Sequence, residues 1–215
     1  MSAEARLRPG RRARLVVMVK EPVPGRVKTR LAAGIGAVAA ARWFRAQALG
    51  LLARVEDPRW ETVLAVAPDR AGRASRVWPP HLPRLPQGAG DLGDRMGRIF
   101  RSLPPGPALI VGADIPGITR AHVAEGFRAL GAADAAIGPA EDGGYWAIGL
   151  RRTGAVPATL FRGVRWSTEH ARADTVASLG GLRVAEIATL ADVDTAADLA
   201  RVAARAPPPV PHRVP

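Results

Sequence analysis

The chain has 215 residues, 47% of them hydrophobic, no cysteine and a formal net charge of +12. That length accommodates one large domain, and the missing cysteines exclude disulfides, a thiolate metal site and a cysteine nucleophile. No apolar run approaches a membrane span, and the polar, Arg-rich Met1–Arg14 lacks the apolar stretch of a secretory signal, so a cytoplasmic protein is expected.

Residues 1–14 read as a disordered basic tail, with Pro9-Gly10 and no apolar periodicity. Leu15–Val19 is a short β-branched run and reads as the first strand. The next eleven residues, Lys20–Arg30, contain two prolines, Gly25 and four cations: Lys20, Arg26, Lys28 and Arg30. A strand, a Gly-containing basic loop and then a helix is an arrangement that cradles phosphates. It is neither a Walker A loop nor the dinucleotide fingerprint, and a solvated charged loop fits the same letters. Ile35–Val55 reads as an Ala-rich helix that stops before Asp57-Pro58. Thr62–Ala67 is the second strand, Pro68–Val77 a short helix, and His81–Leu85 an edge strand or loop because of Pro83.

Gly90-Asp91-Leu92-Gly93 has glycines that let the backbone approach a ligand. Asp91 or Asp94 can cap the helix that follows to Leu103. Ala108–Pro116 is the stretch around which the rest is organised. It is an apolar run that must end near Pro116, so Asp114 lies at the carboxyl end of a central strand. Ligands of open α/β sheets bind outside such ends, where Asp114 could hold Mg²⁺ against a phosphate. An N-cap for the helix near Ile118-Thr119 is the competing explanation.

Thr119–Leu130 is a helix and Ala135–Ile137 a strand. Glu141-Asp142-Gly143-Gly144-Tyr145 then makes a tight turn into the strand Tyr145–Leu150. A hairpin explains the glycines but not the adjacent carboxylates. Trp166-Ser167-Thr168-Glu169 precedes a helix to Leu179, with Ser167 as the expected N-cap and Gly180-Gly181 as the stop. Leu182–Ile187 is the last strand. Asp192-Val193-Asp194 can bind a divalent cation through oxygen, or Asp194 can simply cap the final helix. Residues 206–215, with five prolines, read as a Pro-rich disordered tail.

Strands and helices alternate throughout, which predicts a doubly wound, mostly parallel α/β sheet in one domain, 15–205, with Tyr145–Leu150 a candidate antiparallel strand. Seven of the twelve net positive charges fall in this core, and a basic core suits an anionic ligand. With aromatics at 5% and no basic–aromatic alternation, nucleic acid is not the expected partner. No Gly-x-Ser-x-Gly elbow is present, which argues against a serine hydrolase.

Five motifs, in this order, carry a family resemblance: Val19–Leu31, Gly90–Gly93, Gly112–Pro116, Asp142–Tyr145 and Trp166–Thr168. Together they resemble a family labelled a domain of unknown function, also called the radical-SAM/selenodomain-associated transferase or arsenosugar-biosynthesis-type glycosyltransferase. The match spans about Leu15 to Arg201. It implies a GT-A fold, that of nucleotide-diphospho-sugar transferases. More distantly, the basic loop is similar to that of 2-phospholactate guanylyltransferases. Asp194-Thr195 and Asp198-Leu199 look like a segment near the end of many nucleotidyltransferases, although Ala196-Ala197 departs from it. By that resemblance Asp114 and Asp194, with Asp192 beside them, would hold Mg²⁺ or Mn²⁺. The phosphates of a nucleotide or sugar-nucleotide donor would lie on the loop of Lys20, Gly25, Arg26, Lys28 and Arg30, and backbone amides of Gly90, Asp91, Leu92 and Gly93 could read its base. The acceptor, a small molecule, would meet Glu141, Gly143, Gly144, Tyr145, Trp166, Ser167 and Thr168.

Asp142 and Lys28 are the expected catalytic residues. Lys28 would neutralise phosphate charge. Asp142 would take the acceptor proton, if burial or Glu141 makes it basic enough, or else orient the acceptor. Glycosyl transfer is the leading expectation, nucleotidyl transfer to a phosphorylated or acidic acceptor the alternative, and a non-catalytic nucleotide-binding module the third. Homodimerisation stays open.

Overall fold

The computed structural model describes residues 7–8 and 10–205. The expected C-terminal tail and the first six residues of the expected N-terminal tail lie outside the described residues. The elements, in chain order, are β1 (Arg14–Lys20), α1 (Thr29–Ile35), α2 (Ala37–Val55), β2 (Glu61–Ala67), α3 (Asp69–Ala74), β3 (Arg84–Pro86), α4 (Leu92–Ser102), β4 (Ala108–Gly112), α5 (Arg120–Ala132), β5 (Ala135–Pro139), β6 (Tyr145–Leu150), α6 (Ala171–Ser178), β7 (Val184–Glu186) and α7 (Ala196–Arg205).

Among the described residues these strands form one seven-stranded sheet in the order β3-β2-β1-β4-β6-β5-β7. Every pairing is parallel except those of β6, which runs antiparallel to β4 and β5. The expected antiparallel strand is therefore present, and it lies inside the sheet rather than at its edge. The central strands are β-branched and apolar because both faces are covered. Leu15, Val17, Leu64, Val66 and Leu109 face one core with α2 and α5, while Val16, Val63, Ala65 and Ile110 face a second with α4. No described helix is long and apolar enough to cross a membrane.

Three local expectations are corrected. The helix expected over Ile35–Val55 is α2, but the basic loop expected to run to Arg30 ends earlier, in the short helix α1, which Gly36 at φ +84° separates from α2. Ser167 is not an N-cap: α6 starts after His170, and Ser167 itself has φ +61°.

Arg14, expected in the N-terminal tail, instead opens β1 and is fully buried. Its Nε donates to Glu61 Oε2 at 3.0 Å, and its Nη atoms reach the carbonyls of Arg8, Gly10, Arg12, Pro104 and Pro105. Burial of a guanidinium is sustained by such a full set of partners.

Candidate functional site

The carboxyl ends of β1 and β4 open into a cleft of about 840 Å³. The loop after β1 carries Lys28 at φ 47°, ψ 51°, a left-handed backbone uncommon for a residue with a Cβ. The buried Val27 anchors that loop in the core, and the turn carries the Lys28 side chain inward, to 8% exposure. There Nζ lies 2.7 Å from Asp114 Oδ2 and 2.6 Å from Asp194 Oδ1. Arg30 approaches Asp194 from the rim at 3.3 Å. Burial alone would lower the Lys28 pKa, but the two carboxylates outweigh it and the net displacement is upward.

Neither aspartate is a helix cap. Thr119 caps α5, accepting the His122 N–H. At α7 the capping work falls to Thr195 and Asp198. Asp198 Oδ2 accepts from the backbone of Asp194 and Thr195, and Thr195 Oγ1 accepts the Asp198 N–H. Both Asp114 and Asp194 are thereby left free to point at Lys28.

Asp192 adds negative charge to the same place. Its pKa is pushed up to about 6, first by burial and then by the charges of Asp194, Asp142 and Asp114, against the pull of Lys28. Among the described residues no three carboxylates or histidines converge tightly enough to form a metal cage. Two aspartates already gripping one cation are the donor set of a different kind of site. Mg²⁺ and Mn²⁺ commonly sit on one or two carboxylates and complete their shell with water and phosphate oxygens. The residues fit that mode.

The cleft gathers Lys20, Arg26, Lys28, Arg30, Gly90, Asp91, Leu92, Asp114, Asp142, Gly144, Tyr145, Trp166, Ser167, Thr168, Asp192 and Asp194. Four of the expected residues do not line it. Gly25 is exposed on the loop at φ +77°. Gly93 is instead the seat of Trp166: a Cβ there would come within 2.7 Å of its Cζ2. Gly143, at φ +85°, packs against the backbone of Glu169, which a Cβ would approach to 2.4 Å. Glu141 is exposed outside the cleft. Asp142 is exposed and its Oδ1 accepts the Gly144 N–H at 2.9 Å. Burial raises the Tyr145 pKa, partly offset by the Thr175 hydroxyl that donates to its Oη at 3.3 Å. Tyr145 therefore stays a neutral phenol.

Gln87, Arg95 and Glu169 are among the lining residues that sequence reasoning missed. Arg95 had a signal, since a cation in the first turn of a helix opposes the macrodipole. Its Nε donates to Gly90 O at 3.0 Å and ties down the glycine loop. Gln87 had none; its Nε2 spans the carbonyls of Val19 and Ala65 and joins the ends of β1 and β2.

This sheet order, with one antiparallel strand inserted and the acidic–basic cleft at the strand ends, defines a single α/β domain of the nucleotide-diphospho-sugar transferase type. The chain belongs to the family described as "Uncharacterized protein conserved in bacteria (DUF2064)", whose model matches residues 51–168. A crystal structure from Desulfovibrio desulfuricans G20, provisionally named a nucleotide-diphospho-sugar transferase, is similar with a TM-score of 0.79 and 30% identity, over 90% of this chain and 87% of that one. The 4-diphosphocytidyl-2C-methyl-D-erythritol synthase of Anaerococcus prevotii DSM 20548 is similar in fold, at 0.58 and 9% identity, over 90% and 97%. So is Rv0371c of Mycobacterium tuberculosis H37Rv in complex with manganese, at 0.52 and 18% identity, over 89% and 97%. No curated protein matches the chain.

Proposed function

We propose that this protein is a cytoplasmic transferase that uses a nucleotide-diphosphate sugar and Mg²⁺ or Mn²⁺, and moves the sugar to a small-molecule acceptor. The observation that carries the reading is the clamp of Lys28 between Asp114 and Asp194 on the floor of a cleft rimmed by further cations. A departing diphosphate needs its charge neutralised as the bond breaks. Asp114 and Asp194 would hold the divalent ion, whose contribution is to neutralise phosphate oxygens. Lys20 and Arg26 are exposed and make no ion pair among the described residues, so they are available to phosphate. The relative at 30% identity bears the name of such an enzyme, and the mycobacterial neighbour was crystallised with manganese.

Nucleotidyl transfer is the second reading. The four cations of the β1 loop, all of which line the cleft, suit a triphosphate. Calorimetric titration with UDP-glucose, GDP-mannose, CTP and GTP, with and without Mg²⁺ or Mn²⁺, separates the readings. Metal-dependent binding of a sugar nucleotide is expected. Release of pyrophosphate from a triphosphate would select nucleotidyl transfer. Binding of no nucleotide under any condition would overturn both.

A further inference from the structure

We infer that the acceptor is an uncharged polyhydroxy compound, a sugar or polyol, and not a phosphorylated or carboxylated one. The inference rests on the transferase reading above and adds the acceptor class. Its basis is how charge divides along the cleft. All five cations that line it come from the β1 loop or from α4: Lys20, Arg26, Lys28, Arg30 and Arg95. Beyond Asp114, the wall made by the 142–145 turn and the 166–169 segment carries only acidic charge, from Asp142 and Glu169.

The arginines flanking that wall are engaged elsewhere. Arg165 grips Asp174 with two bonds, Nε to Oδ2 at 2.8 Å and Nη2 to Oδ1 at 2.9 Å. Arg172 donates to Glu186 at 2.5 Å. Neither lines the cleft. Among the described residues that line this wall, an anionic acceptor would therefore meet two carboxylates and no lysine or arginine, with His170 outside the cleft and turned to Glu169 at 3.8 Å, an arrangement that repels it.

What this wall does offer is suited to hydroxyl groups. Asp142 Oδ2 accepts no hydrogen bond from the described residues, and Ser167 and Thr168 add hydroxyls at the rim. Tyr145 and Trp166, with ring centroids 6.5 Å apart and planes at 62°, present apolar surface beside them. A sugar has both kinds of face, hydroxyl edges and C–H planes. In the transfer, the acceptor oxygen bonds to the anomeric carbon of the donor. The bond from that carbon to the diphosphate oxygen breaks, and the nucleoside diphosphate leaves with the electron pair. The hydroxyl proton passes to Asp142 and from there to water.

The test uses the full chain in two arms. The first titrates UDP and GDP with Mn²⁺ by calorimetry, which examines the donor reading alone. The second uses saturation-transfer NMR, with and without the nucleotide, on two matched pairs: glucose against glucose 6-phosphate, and myo-inositol against its monophosphate. The uncharged member of a pair should bind at least about tenfold more tightly than its phosphate. Glu169→Lys should narrow or reverse that ratio by putting a cation on the acidic wall. A wild-type preference for the phosphorylated members overturns the inference. So does silence from both uncharged probes with nucleotide bound, or a ratio that Glu169→Lys leaves unmoved. Failure of nucleotide binding with the uncharged preference intact overturns the donor reading and spares this one.

Discussion

Replacing Lys28 by Met keeps the length of the side chain and removes its charge. In the native protein the ammonium sits 2.6–2.7 Å from two carboxylates and is almost fully enclosed. Breaking a buried ion pair by removing one partner costs about 3–5 kcal/mol. Here the two aspartate side chains are each 35% exposed, so water recovers part of that and the expected loss is about 2–3 kcal/mol. For a domain of this size that lowers the melting temperature by about 4–12 °C.

Mn²⁺ without nucleotide should return part of the loss in Lys28→Met, because two facing carboxylates then regain a cation. The wild type, whose site already holds an ammonium, should gain much less from Mn²⁺ alone. The Lys28 pKa is raised in the folded state, so its stabilisation is fully present below the unfolded value near 10.5 and fades only as pH climbs through the higher folded value. The gap between wild type and variant should accordingly stay flat from pH 7 to 9. Thermal melts with EDTA and with MnCl₂ measure all of this. An unchanged melting temperature, or equal Mn²⁺ stabilisation of both proteins, would refute the reasoning.

Asp114→Asn should abolish metal-dependent nucleotide binding while leaving the circular dichroism spectrum unchanged, because Thr119 and not Asp114 caps α5; retained binding would remove Asp114 from the metal site. Asp142→Asn should lower kcat by about 10²-fold, the low end for loss of a group that handles a proton, with nucleotide affinity unchanged; a loss of affinity instead would move the Asp-Gly-Gly turn to the donor side.

In metal-free protein Asp192→Asn should be stabilising at pH 8 by about 1–2 kcal/mol, after discounting for solvent screening. The native carboxyl titrates near 6 rather than 3.8, so folding disfavours its ionised form and the benefit should vanish below about pH 4; denaturant melts at both pH values decide. Arg14→Met should cost about 3–5 kcal/mol by leaving Glu61 unpaired in the interior. For the same reason, deletion of residues 1–14 should destabilise the protein rather than leave it unchanged.

The parts of the fold that depend on local pattern were legible. Apolar β-branched runs marked the central strands, and Pro116 marked where β4 must end before Asp114. What escaped was set by distant partners. Arg14 resembles its neighbours in an Arg-rich stretch, and only Glu61, 47 residues on, makes it an interior residue. Ser167 stands where an N-cap rule expects one, but its backbone is left-handed and α6 begins only after His170. Thr29–Ile35 escaped as a helix because seven residues with two glycines, Gly34 and Gly36, near the end show too little periodicity to mark one.

The site shows the same division. The loop cations and strand-end carboxylates were visible, but the sequence favoured Lys28 as a phosphate ligand. Its ion pair with Asp194, 166 positions away, is a product of the tertiary fold. Asp142 is exposed at the turn into β6, an exposure that only the tertiary fold decides.

The reversed direction of β6 governs which part of the chain can vary without disturbing the sheet. For β1 and β4 the chain reaches the cleft on leaving the strand, so the loop that follows carries the chemistry. For β6 it reaches the cleft on entering, at Tyr145 opposite Pro139. Substitutions at Glu141, whose side chain is exposed outside the cleft, can therefore alter the 140–144 turn while the register of Ala108 with Leu150 stays fixed at the far end of the strand, whereas Gly143 is held by its backbone contact with Glu169. The segment after Leu150 has the opposite character. Arg152 fastens it to the carbonyls of Leu103 and Pro104, away from the cleft. Changes at Arg152 should therefore alter stability with little effect on the cleft, whereas the turn before β6 and the 166–169 segment both line it.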